Sequence, residues 1–337
     1  MESDANSIGS QGPAGSAMAT IRGKGPHFLR RLQKQISRFE LVYTPHPLWP
    51  LPSNTPCTQR PLRISILDAS FNPPTRAHLG LANSHWSSPI AEEKNGDESH
   101  YDAKLLLLSV KNADKTLKPG DATYLQRLEM MALLRNHIRA DTPTSCITST
   151  LEKEENSPNA NVAIAIIDEP TFVGKSVTLL THLRDRFTAA QIEQEVELSF
   201  LIGMDTLERL FSPRYYPSEE AMISSLRKFF SPAPEGDNSR IVCARRASVP
   251  ISQSSSSFPS NRPDELTLAQ EFINSRRILI IDMGDEVSTY SSTSVRRAVS
   301  SLGVVDNDQS STSGWRKLVT KDVADYIVRE RLYEGTL

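Results

Sequence analysis

Histidine, arginine, serine and threonine side chains placed just beyond short apolar runs can hold phosphate groups, and this chain has such residues at three places. The first is Asp68-Ala69-Ser70-Phe71-Asn72-Pro73-Pro74-Thr75-Arg76-Ala77-His78-Leu79. An apolar run ends there, two prolines fix a turn, and Thr75 is suited to cap a helix. His78 then falls on the first turn, where free backbone N–H groups and the helix dipole favour an anion. A protonatable donor beside such an anion hole suits a triphosphate. The second place is Tyr290-Ser291-Ser292-Thr293-Ser294-Val295-Arg296-Arg297. Hydroxyls and amides at a helix start can meet phosphate oxygens, and Arg296, one turn in, adds a forked and always charged donor. The third is Gly203-Met204-Asp205-Thr206-Leu207. Gly203 allows close backbone approach by a ligand, and Asp205 can accept hydrogen bonds from a ribose or an amine. Plainer readings compete at each place: a simple cap at Thr75 with a half-buried His78, a capped helix with two solvated arginines, and an N-cap aspartate at Asp205.

The elements that must position these residues are legible as alternation. Arg63–Leu67, Lys104–Val110, Asn161–Ile167, Glu197–Gly203, Arg240–Ala244 and Arg277–Asp282 are strand-length runs rich in Ile, Leu and Val. Leu79–Ser84, Tyr124–Arg139, Lys175–Phe187 and Thr206–Leu210 carry helical spacing between them. Continuous apolar strands need both faces covered, as in parallel sheets with crossover helices. The pattern predicts an α/β fold, a doubly wound, Rossmann-like parallel sheet. Ligands bind such sheets beyond the carboxyl ends of the strands, at the switch point. All three places lie just after a run.

Two regions of the chain are expected at this stage. Residues 1–60 read as an N-terminal extension: a disordered leader to Gly25, a short helix from the apolar set Phe28, Leu29, Leu32, Ile36, Phe39 and Leu41, and a Pro-rich strap from Pro45 to Pro56. Residues 61–337 read as one domain with flexible insertions near 88–101, 231–239 and 246–265. Lys and Arg total 38 against 40 acidic residues, which argues against a protein held to nucleic acid by general phosphate attraction. No run reaches the ~18 apolar residues of a membrane span. The three cysteines, Cys57, Cys146 and Cys243, form neither a disulfide framework nor a zinc pattern. A reducing compartment, cytoplasmic or nuclear, is the expectation.

The three motifs, in this order, resemble those of the nicotinamide/nicotinate mononucleotide adenylyltransferases, of which this chain looks like a divergent, fungal-type member. These belong to the nucleotidylyltransferases marked by (H/T)xGH and ISSTxxR signatures. The family's G-S-F-N-P-x-T-x-x-H is met by Ser70 to His78, its S-S-T-x-x-R by Ser291 to Arg296, and its G-A-D-L-L by Gly203 to Leu207. Tyr124-Leu125-Gln126-Arg127-Leu128-Glu129-Met130 and the segment Val323 to Tyr333 are similar to further family helices, so the likeness runs from about Arg63 to Tyr333. Ala69 and Ala77 stand where the family has glycines, and Tyr290 where it has isoleucine. The resemblance implies a nucleotidylyltransferase fold and AMP transfer from ATP to a pyridine mononucleotide, giving NAD or its acid form and pyrophosphate. It implies that His78, Arg296 and Lys115 are catalytic, and that Ser70, Phe71, Thr75, Gly203, Asp205, Ser292 and Thr293 join His78 and Arg296 in binding nucleotide. It implies Mg2+ held mainly by the ATP phosphates, with no protein metal site. Phe172 and Tyr215 or Tyr216 fall where the family has ring-stacking tryptophans.

Other matches are set aside. Gly174-Lys175-Ser176 mimics the end of a P-loop, but Glu169 stands where the required first glycine would be, and Lys175 is expected only to start a helix. His78 and His85 share a helix face with nothing to complete a metal set. Three other functions stay open: transfer to another phosphorylated acceptor or from CTP, a nucleotide-binding or ATP-hydrolysing regulator of the same fold, and an interaction scaffold using the leader and the Ser-rich insertion.

Overall fold

A computed structural model of the chain describes residues 13–51, 60–84, 100–110, 119–140, 161–245, 263–284, 289–302 and 314–334. Its strands are β1 (Phe39–Tyr43), β2 (Leu62–Asp68), β3 (Ala103–Ser109), β4 (Val162–Ile167), β5 (Val196–Gly203), β6 (Ser239–Arg245) and β7 (Ile278–Asp282). They form one sheet in the order β1-β4-β3-β2-β5-β6-β7. Every neighbouring pair is parallel except β1 with β4, which is antiparallel. The α/β fold read from the sequence is the fold observed, with an antiparallel strand added at one edge.

The helices are α1 (Pro13–Gln33), α2 (Arg76–Ala82), α3 (Tyr124–Arg135), α4 (Phe172–Ala189), α5 (Met204–Leu210), α6 (Glu219–Phe230), α7 (Pro263–Asn274), α8 (Ser292–Leu302) and α9 (Lys321–Arg329). One face of the sheet is covered by α4, α6 and α7, through Leu179, Leu183, Leu226, Phe229 and Phe272 among others. The other is covered by α1 and α3, through Ile21, Leu32, Leu128 and Met131. With both faces covered, β4 can be buried at all six positions. A third, smaller core joins α8 and α9 to the back of α3 through Val295, Val299, Val323, Tyr326, Ile327, Trp315 and Met130. Among the described residues no helix is long and apolar enough to cross a membrane.

Several expectations are corrected here. Residues 13–33, within the stretch read as leader and short helix, form one long helix whose buried positions include Ala17, Ile21, Leu29 and Leu32. Small residues, three glycines (Gly15, Gly23 and Gly25) and Pro26 hide its periodicity. The helix ends at Gln33, Ile36 is 62% exposed, and Phe39 and Leu41 belong to β1 rather than to a helix. In the strap, Trp49 is buried and its carbonyl accepts a bond from Arg186 Nε at 2.8 Å. Residues 231–239, expected to be flexible, form a turn closed by backbone bonds from Asp237 to Lys228 and from Asn238 to Ser231. The expected insertions near 88–101 and 246–265 fall largely outside the described residues, as do residues 1–12. Two helices were missed: α7, and α6 despite its Ser218 cap and its acidic first turn, Glu219 and Glu220.

Candidate functional site

The chain leaves β2 for β3 and β4 on one side, then returns through α4 to β5 on the other. The switch point therefore lies between the carboxyl ends of β2 and β5, which run in register from Leu62↔Val196 to Leu67↔Leu201. Gly203 ends β5, and a Cβ built on it would meet nothing within 4 Å. This strand end is open to an approaching group.

The loop from β2 to α2 is held from several directions. Phe71 is fully buried with φ of 45°, a left-handed backbone costing a non-glycine residue about 1–3 kcal/mol. Asn72 is buried too. Its Nδ2 donates to Asp121 at 2.7 Å, and its Oδ1 accepts from Ala122 N at 3.2 Å and from the Tyr333 hydroxyl at 2.9 Å. Thr75 caps α2, as its sequence position predicted. His78 completes that cap: its Nδ1 accepts the Thr75 N–H at 3.0 Å and lies 2.8 Å from Thr75 Oγ1. A ring nitrogen that accepts from a backbone N–H carries no proton, so the neutral ring holds its hydrogen on Nε2. Desolvation lowers the pKa of this half-buried residue to about 4. The sequence suggested a protonatable donor; in the folded chain His78 is a neutral Nε2–H donor at physiological pH. Its ring sits 5.6 Å from that of Phe71.

The start of α8 meets this loop. Ser291 caps the helix, its Oγ accepting from Ser294 N at 3.1 Å. Ser292 Oγ donates to the Pro73 carbonyl at 2.7 Å. Arg296 Nη1 donates to the Asn72 carbonyl at 2.6 Å, Nη2 to Thr293 Oγ1 at 3.4 Å, and Nε lies 3.8 Å from Asp121. Segments more than 200 residues apart thus join at one loop, and the third core, packed beneath Val295 and Val299, fixes the helix that brings them there. Arg297 points outward and is exposed.

A second guanidinium lies beneath the loop. Arg127 of α3 is buried, donates from Nε to Ala122 O at 2.9 Å and from Nη1 to Ser70 O at 3.4 Å, and places Nη2 3.6 Å from Asp121. Burial lowers its pKa and Asp121 opposes that effect, but an arginine stays charged. In the sequence Arg127 lies within the helix motif Tyr124 to Met130, where nothing marks it for the site. Its buried position could have been read from its place among Leu125, Leu128 and Met131, but its partners could not.

The structure therefore brings Ser70, Phe71, Thr75, His78, Ser292, Thr293 and Arg296 together. Gly203 and Asp205 lie at the neighbouring strand end. There the N-cap of α5 is Gly203, and Asp205 is exposed in the first turn instead of capping it. Lys115 lies outside the described residues.

Around the same edge, facing α4, Lys175 forms a buried ion pair with Asp68, the last residue of β2. Ser109 Oγ is 3.4 Å from the same carboxylate, and the ammonium lies 4.8 Å from the centre of the Phe172 ring. Thr171 caps α4, so Lys175 does not start that helix; it sits inside the first turn and reaches a strand end. Phe172 packs edge-on against Phe200 at 5.6 Å. Tyr216, buried enough to raise its pKa, donates to Leu210 O at 2.9 Å. Both aromatic groups are engaged by the fold. Among the described residues no three His, Cys, Asp or Glu side chains are placed to hold a metal ion.

No protein-family profile matches the chain. Over 183 residues it is 32% identical to a Schizosaccharomyces pombe protein named "Putative nicotinamide mononucleotide adenylyltransferase". The match covers 54% of this chain and 53% of that protein, so the chain spans about half the length of the curated relative it matches. Two solved structures of Plasmodium falciparum nicotinic acid mononucleotide adenylyltransferase, complexed with NaAD and with APC, are similar at 14% and 13% identity. They cover 80% of this chain and 97% and 96% of their own chains, with TM-scores of 0.42 and 0.40.

Proposed function

We propose that this chain transfers AMP from Mg-ATP to the phosphate of a pyridine mononucleotide, giving NAD or its acid form and pyrophosphate. The observation that carries the reading is the joining of Ser292 and Arg296 to the carbonyls of Pro73 and Asn72, beside the Nε2–H donor of His78. The S. pombe relative's name supports the same activity. An oxygen of the acceptor phosphate attacks the α-phosphorus of ATP, the bond from that phosphorus to the α–β bridging oxygen breaks, and pyrophosphate leaves. The attacking oxygen is already ionised, so no general base is needed, and catalysis rests on positioning and charge stabilisation. His78 donates to the α- and β-phosphates as negative charge builds on the leaving group. Arg296, with Thr293 and Ser292, holds the β- and γ-phosphates, and Lys115 assists. Ser70, Phe71 and Thr75 shape the loop around them, while Gly203 and Asp205 line the nucleoside region. Mg2+ would be held mainly by the phosphates of the nucleotide, where it would offset their charge; of the nearby carboxylates, Asp68 is engaged by Lys175 and Asp121 lies between two guanidiniums. The site is read as belonging to a protein of the cytoplasm or nucleus.

A second reading, a nucleotide-binding or ATP-hydrolysing regulator of the same fold, draws support from Phe172 and Tyr216, which are committed to internal partners instead of being left for a pyridine ring. One assay separates the two. Purified chain is given Mg-ATP with nicotinamide mononucleotide or with nicotinate mononucleotide, and dinucleotide formation is followed through a coupled dehydrogenase. Dinucleotide production supports transfer. ATP turnover that neither mononucleotide alters, with no dinucleotide, overturns it in favour of the regulator.

A further inference from the structure

We propose that Tyr333 and Asp121 are positioning residues for Arg296, acting on it through Asn72; this rests on the adenylyl-transfer reading. The Asn72 amide has one orientation that satisfies its surroundings. The Ala122 N–H can only donate, so Oδ1 must face it, which directs Nδ2 to the Asp121 carboxylate. The Tyr333 hydroxyl then donates to the same Oδ1 at 2.9 Å. With its side chain fixed at three points, Asn72 presents its backbone carbonyl to Arg296 Nη1 at 2.6 Å. Asp121 acts on the arginine a second time, by charge, at 3.8 Å from Nε and 3.6 Å from Arg127 Nη2. One carboxylate between two guanidiniums lets both stay close while leaving net positive charge for a polyphosphate. Two of the five N–H donors of Arg296 are spent on Asn72 and Thr293 and Nε faces Asp121, which leaves the other N–H groups of the two terminal nitrogens for phosphate oxygens.

Backbone geometry points to the same role. Phe71, next to Asn72, and Tyr333, its distant partner, both hold left-handed backbones, with φ of 45° and 66°. Strained non-glycine residues persist where surrounding contacts over-determine them, and they gather at functional sites. Tyr333 is buried in the third core with Leu332 and Val323, on the element set that carries α8. Its hydroxyl meets Asn72 directly, and its electrostatic coupling to Arg127, Arg296 and Asp121 places it beside the same cluster.

The test is a double-mutant cycle on the full chain. Tyr333→Phe keeps the ring and removes one hydroxyl, and is expected to lower kcat for dinucleotide formation about tenfold, with KM for ATP changed less than kcat. In an Arg296→Lys background, whose fork is already lost, the same substitution is expected to cost less than about twofold, because residues acting as a unit are not additive. Equal losses in both backgrounds, tracking a fall in Tm, would reduce Tyr333 to a packing residue and overturn the proposal. If Tyr333→Phe does not fold, Asp121→Asn is run through the same cycle with the same expectations. Calorimetric binding of an ATP analogue with a methylene between its α- and β-phosphates separates this failure from a wrong function. Wild-type binding with an additive cycle overturns the positioning role alone. No wild-type binding overturns the transfer reading and this proposal with it.

Discussion

Around Thr75 and Arg296 the carboxyl edge of the sheet is built from donors: the Nε2–H of His78, hydroxyls at the start of α8, and two guanidiniums sharing Asp121. Facing α4, the same edge is closed by a buried cation and a buried anion that neutralise each other, Lys175 and Asp68. The first arrangement leaves net positive charge beside the loop, two guanidiniums to one carboxylate, whereas the second cancels its own. A lysine at a strand end next to a loop proposed to hold phosphate is therefore no sign of a phosphate contact by itself. Its partner decides.

Removing one member of the closed pair should have the largest effect. Lys175→Met leaves Asp68 charged and buried, and is expected to cost about 3–5 kcal/mol of stability, read as a fall in urea midpoint. The double variant Asp68→Asn with Lys175→Met should recover most of it. A single variant that stays stable but loses nucleotide binding would erase the contrast between the two sides.

On the donor side, His78→Ala should fold and lose about 10²–10³ in kcat, the usual cost of one charge-stabilising donor. An unchanged rate in the folded variant would remove His78 from the reaction. The smallest effect is in pH. His78 titrates near 4 in the folded chain against about 6.5 unfolded. A group whose folded pKa is depressed contributes stability above its unfolded pKa and loses it as pH falls through the folded value. Stability should therefore decline from about pH 6.5 to pH 4, by at most about 3 kcal/mol since the ring keeps some solvent contact. The decline should flatten in His78→Gln, as measured by denaturant titration at stepped pH. A slope that His78→Gln leaves in place would assign the decline to other groups.

Six of the seven strands were legible because each is a continuous apolar run with turn residues at both ends. β1 was not: Phe39-Glu40-Leu41-Val42-Tyr43 is an edge strand whose apolar residues continued the spacing of the helix before it. Within the candidate site, the placement of Thr75, His78, Ser292 and Arg296 could be read because a helix start fixes the positions of the residues around it. The polar contacts that lock the loop could not. Asn72 meets Asp121 49 residues away and Tyr333 261 residues away, and no local pattern encodes such pairings. Lys175 was misjudged for the same reason, its partner lying 107 residues earlier.

The third core, which ties the last described helix and Tyr333 to the back of α3, has a consequence for biogenesis. Most of the sheet is synthesised before Arg296 leaves the ribosome, and domains form as the nascent chain emerges. In the proposed reading the early portion must reach its shape without help from a nucleotide, because Arg296 and Tyr333, which complete the contacts around Asn72, lie later in the chain. A nucleotide bound as proposed would stabilise the folded protein by mass action without acting as a template for the portion made earlier.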